Sequence, residues 1–323
     1  MRYLLTLAAL ASVSFWPGAV RANDTMAHFA AGELVFTQTD AVSMVSEDLF
    51  LSMNEVRVTY RFRNLTSQDV KGLVAFPMPE VGRTMSDADY PDGPEANPMR
   101  FSVSVDGQPS AVQFEAKAVL NGRDVTKTLR DLDIPIPPYS ERVDSALKKL
   151  DRQAIDRLER EGLLETGDEM FPNWALAGAY HWQQTFPAGR DTIIQHRYKP
   201  SVGATVLSLD SMVRAKTAEE MYLVGENSCM DGDFIKGAKK WAARQLKSGG
   251  GSQRILDYIL VTGANWAGPI GTFTLTVDKG HPDNLVSFCG EGVRKIAPTQ
   301  FQMVKKNFTP KQNISVLILD TGF

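Results

Sequence analysis

The chain has 323 residues, 43% apolar and 23% charged side chains, and a formal net charge of −3. That composition belongs to a folded globular protein and excludes a disordered one. The slight acidic excess leaves no electrostatic footprint for nucleic acid, and the length allows two domains or one large β domain.

The first residues form a sorting signal. Arg2 supplies a positive start, Tyr3 to Phe15 is an apolar run, Pro17 and Gly18 break it, and Val20-Arg21-Ala22 offers small residues for a cut at Ala22/Asn23. This is the pattern of a secretory signal peptide over 1–22. The run is too short for a membrane helix, which needs about 20 apolar residues. Without it the mature chain carries 33 bases against 38 acids, a charge of −5. A periplasmic or secreted protein is expected, with no membrane span after cleavage.

Asn23 to Ala31 is short and small or polar, a leader. Glu33 to Thr39 is a first strand. Ala41 to Met53 holds a second, with Val42, Met44, Leu49, Phe50 and Leu51 as core candidates and Ser46-Glu47-Asp48 as a turn. Val56, Val58, Tyr60 and Phe62 alternate with Arg57, Thr59, Arg61 and Arg63, so one face of this strand is apolar and the other wet. Asn64 to Asp69 are turn formers. A β-rich run follows from Val70 to Phe76-Pro77-Met78-Pro79, where the prolines end pairing or mark an edge. The two runs predict an antiparallel pair, the seed of a β-sandwich.

Gly82 to Pro98 is a surface loop rich in Asp, Pro and Gly. Phe101, Val103 and Val105 alternate up to Asp106-Gly107, a strong hairpin turn, and Ala111 to Ala118 is the return strand. After the extended Ile134-Pro135-Ile136-Pro137-Pro138 segment, Leu147, Leu150, Ala154 and Leu158 recur at helical spacing until Gly162. This predicts a helical insertion at about 140–162. Strands resume at Ala179, turn at Pro187-Ala188-Gly189 and return over Thr192 to Tyr198. An N-terminal sandwich over 23–201 is therefore expected.

A smaller β-rich unit over 202–323 follows. Asp233 is placed to cap a helix over about 233–247, with Phe234, Ala238, Trp241 and Ala242 on one stripe. Five short strands with turn signals between them close the chain. The fold class is mainly β with helical insertions: an antiparallel β-sandwich plus the smaller unit.

The chain has two cysteines, Cys229 and Cys289. In an oxidising compartment an isolated pair is read as a disulfide, with two buried thiols or a nucleophile as alternatives.

The phrases GELVFTQTD, SEDLFLS, VRVTYRFRN, VAFPMP, YILVTGANWAGPIG and NLVSFCGEGVRK resemble the secreted bacterial family called domain of unknown function 4424. The resemblance spans nearly the whole mature chain and implies no activity. Asn64, Phe76, Pro77, Pro79, Pro187, Gly189 and Tyr198 resemble the layout of the vault/inter-alpha-trypsin (VIT) N-terminal domain, which implies a β-sandwich. In that family a metal-binding adhesion domain with an Asp-x-Ser-x-Ser signature usually follows. No such string occurs here.

Four histidines, His28, His181, His196 and His281, show no HxH or HExxH spacing, and neither cysteine sits in a CxxC. No sequence-local metal site follows. His181 and His196 lie on expected neighbouring strands, where they either face each other across the pair or, the favoured reading, are simply two polar-face histidines. GxSxG, GxGxxG and GxxxxGK[ST] are absent, so no metal, cofactor or catalytic residue is assigned. The best site candidate is the glycine-rich stretch Thr262 to Gly271 with Asn265 and Trp266. Either Trp266 sits at a loop tip and stacks on a sugar or a partner, or it folds back over the core. The expected function is an exported, non-catalytic binding or envelope-interaction protein, its partner an unidentified envelope protein or glycan. The rival is a secreted hydrolase with a dispersed acid/base site drawn from Glu47, Asp48 or His181.

Overall fold

The computed structural model describes residues 24–30, 33–84, 88–217, 219–225, 228–248 and 250–321. The expected signal peptide and its cleavage position Ala22/Asn23 lie outside them. The fold is mainly β. A six-stranded sheet runs in the order Glu33–Thr37, Thr25–Ala30, Val70–Gly82, Ala175–Phe186, Gln113–Leu120, Arg123–Asp124. An eight-stranded sheet faces it, in the order Arg294–Lys295, Gln300–Phe308, Ile270–Asp278, Val42–Ser52, Val56–Asn64, Asp191–Tyr198, Ser102–Val105, Gln108–Ser110. A four-stranded sheet, Gly203–Val206, Ser252–Tyr258, Ile314–Asp320, Leu285–Ser287, completes the main core.

The alternation in Val56–Asn64 has the expected effect. Val56, Val58, Tyr60 and Phe62 are fully buried, and the arginines point outward. They pack against Val74, Phe76, Tyr180 and Trp182 of the six-stranded sheet. Removing this apolar area from water supplies the main driving force of the fold, at roughly 25 cal/mol per Å².

The expected pairings are not those found. Val56–Asn64 and Val70–Gly82 are not a hairpin; they lie in opposite sheets. The connection is an arch built on Asn64. Its Nδ2 donates to the carbonyls of Gln68 and Phe186, both at 2.8 Å, and its Oδ1 accepts from the Thr66 amide at 2.8 Å. Such a side-chain-bonded turn re-aims the backbone instead of folding it flat. Ala175–Phe186 and Asp191–Tyr198 repeat the pattern across Pro187-Ala188-Gly189, so His181 and His196 do not face each other across a strand pair. Asp106-Gly107 does turn a hairpin, with positive φ at both residues. Its return strand is only Gln108–Ser110, and Gln113–Leu120 crosses to the other sheet.

Ser46-Glu47-Asp48 is not a turn. Val42–Ser52 is continuous, with a bulge between Met44 and Ser46. The extra residue shifts the inward parity from Val42 and Met44 to Glu47, Leu49 and Leu51, and Phe50 faces outward. Gly271 is fixed by this bulge: a Cβ there would stand 2.5 Å from the Val45 carbonyl oxygen. The Asn23–Ala31 leader is also corrected, since Thr25–Ala30 is a strand of the six-stranded sheet.

Glu141–Leu147 and Arg152–Arg160 are two helices where one was expected, separated at Asp151, whose side chain accepts from the Ala154 amide. With Thr126–Asp131 and the hairpin Leu164–Thr166/Met170–Pro172 they form a satellite core around Leu129, Val143, Leu147, Leu158 and Trp174. The later helix is Gly232–Ser248. Its capping carboxylate is Asp231, not Asp233: Asp231 Oδ1 accepts from the amides of Asp233 and Phe234. Ala238, Trp241 and Ala242 are buried as expected.

The expected units 23–201 and 202–323 do not form separate layers. Ile270–Asp278 pairs in parallel with Val42–Ser52, inside the eight-stranded sheet, and Gln300–Phe308 extends it. The main core takes residues from both sides of position 201. Buried residues between Leu207 and Ala242 do form a satellite core with Leu317 and Leu319, where the helices Leu209–Arg214 and Gly232–Ser248 pack on the four-stranded sheet.

Candidate functional site

The outer face of the eight-stranded sheet holds a broad trough of about 450 Å3. Strand alternation puts Arg57, Thr59, Gln195, Arg197, Ser102 and Ser104 on this face. Register aligns them in cross-strand rows. Ser102, Arg197, Arg57, Phe50, Thr276 and Gln302 form one row; Ser104, Gln195, Thr59, Asp48, Thr274 and Val304 form the next. Hydrogen bonds run along them, from Ser104 Oγ to Gln195 Oε1, from Gln195 Nε2 to Thr59 Oγ1, and from Gln302 Nε2 to Thr276 Oγ1.

Charge gathers at both ends of the Val56–Asn64/Asp191–Tyr198 strand pair. Arg57 Nε and Arg197 Nε share the Glu55 carboxylate at 2.9 and 2.8 Å. Arg63 Nε and Arg61 Nη1 share Asp191 at 2.6 and 3.6 Å, and the Arg63 bond holds the Asp191 carboxyl below its usual range. Four guanidiniums therefore meet two carboxylates, while Asp48 and Asp278 lie farther along the face. The four arginine side chains are 48–64% exposed. Arg57 also lies 4.4 Å over the Phe50 ring, which fixes its plane. The surface is pre-ordered, hydroxyl-rich and locally cationic.

Asn265 and Trp266 are not displayed at a loop tip. Val261–Asn265 is a 3-10 turn, and both side chains are buried. Asn265 Nδ2 donates to Thr25 Oγ1, and Trp266 Nε1 donates to the Asp24 carbonyl. The Trp266 ring lies 4.4 Å from that of Phe62. Cys229 and Cys289 form a disulfide, with S–S 2.05 Å.

The hydrolase candidates are dispersed. Glu47 points into the core, Asp48 onto the wet outer face, and His181 onto the other sheet's outer side against Phe29. Titratable groups do converge in the core. His196 sits among the rings of Tyr60, Phe76, Phe101 and Trp182, and its Nε2 is 3.5 Å from Asp24 Oδ2. The Tyr60 and Tyr258 hydroxyls are 3.0 Å apart, and the Tyr258 hydroxyl donates to Glu47 at 3.4 Å. Asp24, Glu47, Tyr60, His196 and Tyr258 are all buried, so this strip is closed to solvent. Sequence reasoning missed it because Asp24 lay in the supposed leader and Glu47 in the supposed turn. Among the described residues no group of three or more His, Cys, Asp or Glu side chains is placed to hold a metal. No described helix is long and apolar enough to cross a membrane.

The strip sets a pH dependence. Burial pulls the His196 imidazole down to about 3. Burial, then the nearby Glu47, pushes the Asp24 carboxyl well above its usual range. An unfolded histidine takes a proton below about pH 6.5. The stability contributed by neutral His196 is therefore present above that pH and lost as pH falls toward 3. Asp24 acts in the opposite sense, its contribution being lost as pH rises above the ordinary carboxyl value of about 3.9. In His196→Phe the stability falls less steeply between pH 6.5 and 4 than in the parent, by up to about 1.4 kcal/mol per pH unit. Urea midpoints across pH measure this. Parallel profiles would mean that the folded imidazole is charged.

Residues 22–317 match the family model described as domain of unknown function (DUF4424). No curated protein matches the chain. Among solved structures, a crystal structure from Legionella pneumophila subsp. pneumophila str. Philadelphia 1, described as a "putative nutrient binding protein", is 17% identical with a TM-score of 0.47, covering 92% of this chain and 70% of that one. At that level of likeness it carries no argument about activity.

Proposed function

This chain belongs to the DUF4424 family, and from that premise we propose that it is an exported, non-catalytic binding protein that holds an acidic envelope glycan or envelope protein on the outer face of its eight-stranded sheet. One observation carries this reading: four half-exposed arginines share two carboxylates on a hydrogen-bonded pleated surface. Such a surface favours an anionic, extended partner, because surplus guanidinium charge steers approach and the hydroxyl rows supply short-range bonds. Export rests on the N-terminal signal pattern and agrees with the disulfide, a bond that persists in oxidising compartments. The VIT-like layout of Phe76-Pro77-Met78-Pro79 and Tyr198 belongs to the same reading, as a scaffold and not as an adhesion site.

The mature protein binds heparin, a sulfated glycan, more tightly than uncharged dextran, and the binding weakens as salt rises. Arg57→Glu with Arg197→Glu lowers heparin affinity by roughly tenfold or more while circular dichroism stays unchanged. Equal affinity in parent and charge-reversed protein would remove the outer face from consideration.

A further inference from the structure

We infer that Arg57 and Arg197 form a clamp for the carboxylate of a uronic acid unit, and that Glu55 is the positioning residue that sets it. The occupant is a linear acidic glycan lying across the strands. This rests on the anion-binding reading of the outer face and narrows it to one class of partner.

The clamp is built from the backbone outward. Glu55 sits in the turn that leads from Val42–Ser52 into Val56–Asn64. The Ser52 amide donates to the Glu55 carbonyl and the Glu55 amide donates to Ser52 Oγ, both at 3.0 Å. The Glu55 carboxylate therefore starts from a fixed point. Register sets Arg57 and Arg197 directly opposite each other on neighbouring strands, and Glu55 bonds one from each of its oxygens. A guanidinium donates from its Nε and from both terminal nitrogens. Glu55 takes the Nε–H of each, which leaves the terminal nitrogens for a second carboxylate. Phe50 holds the Arg57 plane from the other side. Planar forks fixed in this way suit a planar carboxylate, which accepts two parallel bonds, and little ordering entropy is lost on binding.

The trough beside the clamp fixes the class of occupant. Its volume of about 450 Å3 suits a short oligosaccharide. Ser104, Gln195 and Thr59 are linked by hydrogen bonds from strand to strand along it, and their hydroxyl and amide groups keep further donor and acceptor capacity for sugar hydroxyls. These groups step across the strands at about 4.8 Å, close to the length of one pyranose unit in a stretched glycan. An extended acidic peptide fits less well. It draws its affinity from main-chain bonds to an open sheet edge, and Val56–Asn64, Asp191–Tyr198 and Ser102–Val105 are each paired on both sides.

The test uses the full mature chain and isothermal titration. The probes are hyaluronan tetrasaccharide, which carries uronic acid, the neutral chitin tetrasaccharide, a tetraglutamate peptide, and dextran sulfate, which is anionic without carboxylates. Saturable binding of the hyaluronan tetrasaccharide is expected, tighter than that of chitin tetrasaccharide or tetraglutamate. Arg57→Lys and Arg197→Lys keep the charge and lose the fork; each weakens hyaluronan binding by about tenfold and dextran sulfate binding by less. Glu55→Ala gives the deciding sign. It makes the face more positive, so attraction alone tightens every anion. A clamp that has lost its positioning residue instead binds hyaluronan about fivefold more weakly, while dextran sulfate binds more tightly. Circular dichroism and urea midpoints stay at parental values in all three variants.

The clamp is overturned by any of four results: no saturable hyaluronan binding, chitin tetrasaccharide or tetraglutamate bound as tightly, equal losses for dextran sulfate in the lysine variants, or tighter hyaluronan binding in Glu55→Ala. If heparin still binds the parent and is lost in Arg57→Glu with Arg197→Glu, such a result removes the clamp and leaves the anion-binding face standing. Absence of heparin binding removes both.

Discussion

Trp266→Ala lowers stability by about 3–5 kcal/mol. The side chain is 3% exposed. It packs on Phe62 and meets Phe186 edge-on, so truncation opens a cavity against both facing sheets. Its indole N–H holds the carbonyl of Asp24, and the neighbouring Ala267 amide donates to Val42. The loss is therefore not confined to a cavity: the start of the first strand is released as well. Trp266→Phe restores most of the volume and not the hydrogen bond, and retains all but about 1–2 kcal/mol. Urea midpoints at constant m-value give both figures. A change below about 0.5 kcal/mol, as for an ordinary surface site, would place the ring outside the core.

The second large effect is on the disulfide. Cys229 and Cys289 are 60 residues apart in sequence. Closing a loop of that size removes about 4 kcal/mol of unfolded-state entropy in the chain-entropy model. The bridge ties the segment before helix Gly232–Ser248 to the chain just after strand Leu285–Ser287. There Ser287 Oγ also donates to the carbonyls of Ser228 and Cys229. Replacing both cysteines by serine lowers stability by about 2–5 kcal/mol. Reductant lowers the denaturation midpoint of the parent and leaves the serine variant untouched. Identical parent midpoints with and without reductant would mean that the bridge adds nothing.

Local patterns carried much of this fold and long-range pairing did not. The alternation in Val56–Asn64, the Ala238/Trp241/Ala242 stripe and the lone cysteine pair each rest on neighbours in sequence or on composition. Whether a turn folds a strand back within its sheet or carries it to the opposite one depends on where Phe186 lies relative to Asn64, and no local rule contains that contact. The buried strip was hidden for a related reason. One inserted residue at Val45 reverses inside and outside for the rest of the strand, so Glu47 looks like a turn residue while it lies in the core. Trp266 was ambiguous because its glycine-rich surroundings describe a loop but not what packs on it. It packs on Phe62 and Phe186 and is held by Asp24, just ahead of Thr25–Ala30, a strand too short to announce itself. The arginine face was legible as a wet strand face. Its partners Glu55 and Asp191 were not, since Asp191 arrives from a distant strand.

The parallel match between Val42–Ser52 and Ile270–Asp278 has a consequence for the order of assembly. A chain emerging amino-terminus first exposes one border of its earliest long strand until almost everything downstream has followed. Contacts this remote in sequence form slowly, and an unpaired border recruits other chains. A newly made polypeptide thus spends its most vulnerable interval waiting for its own tail.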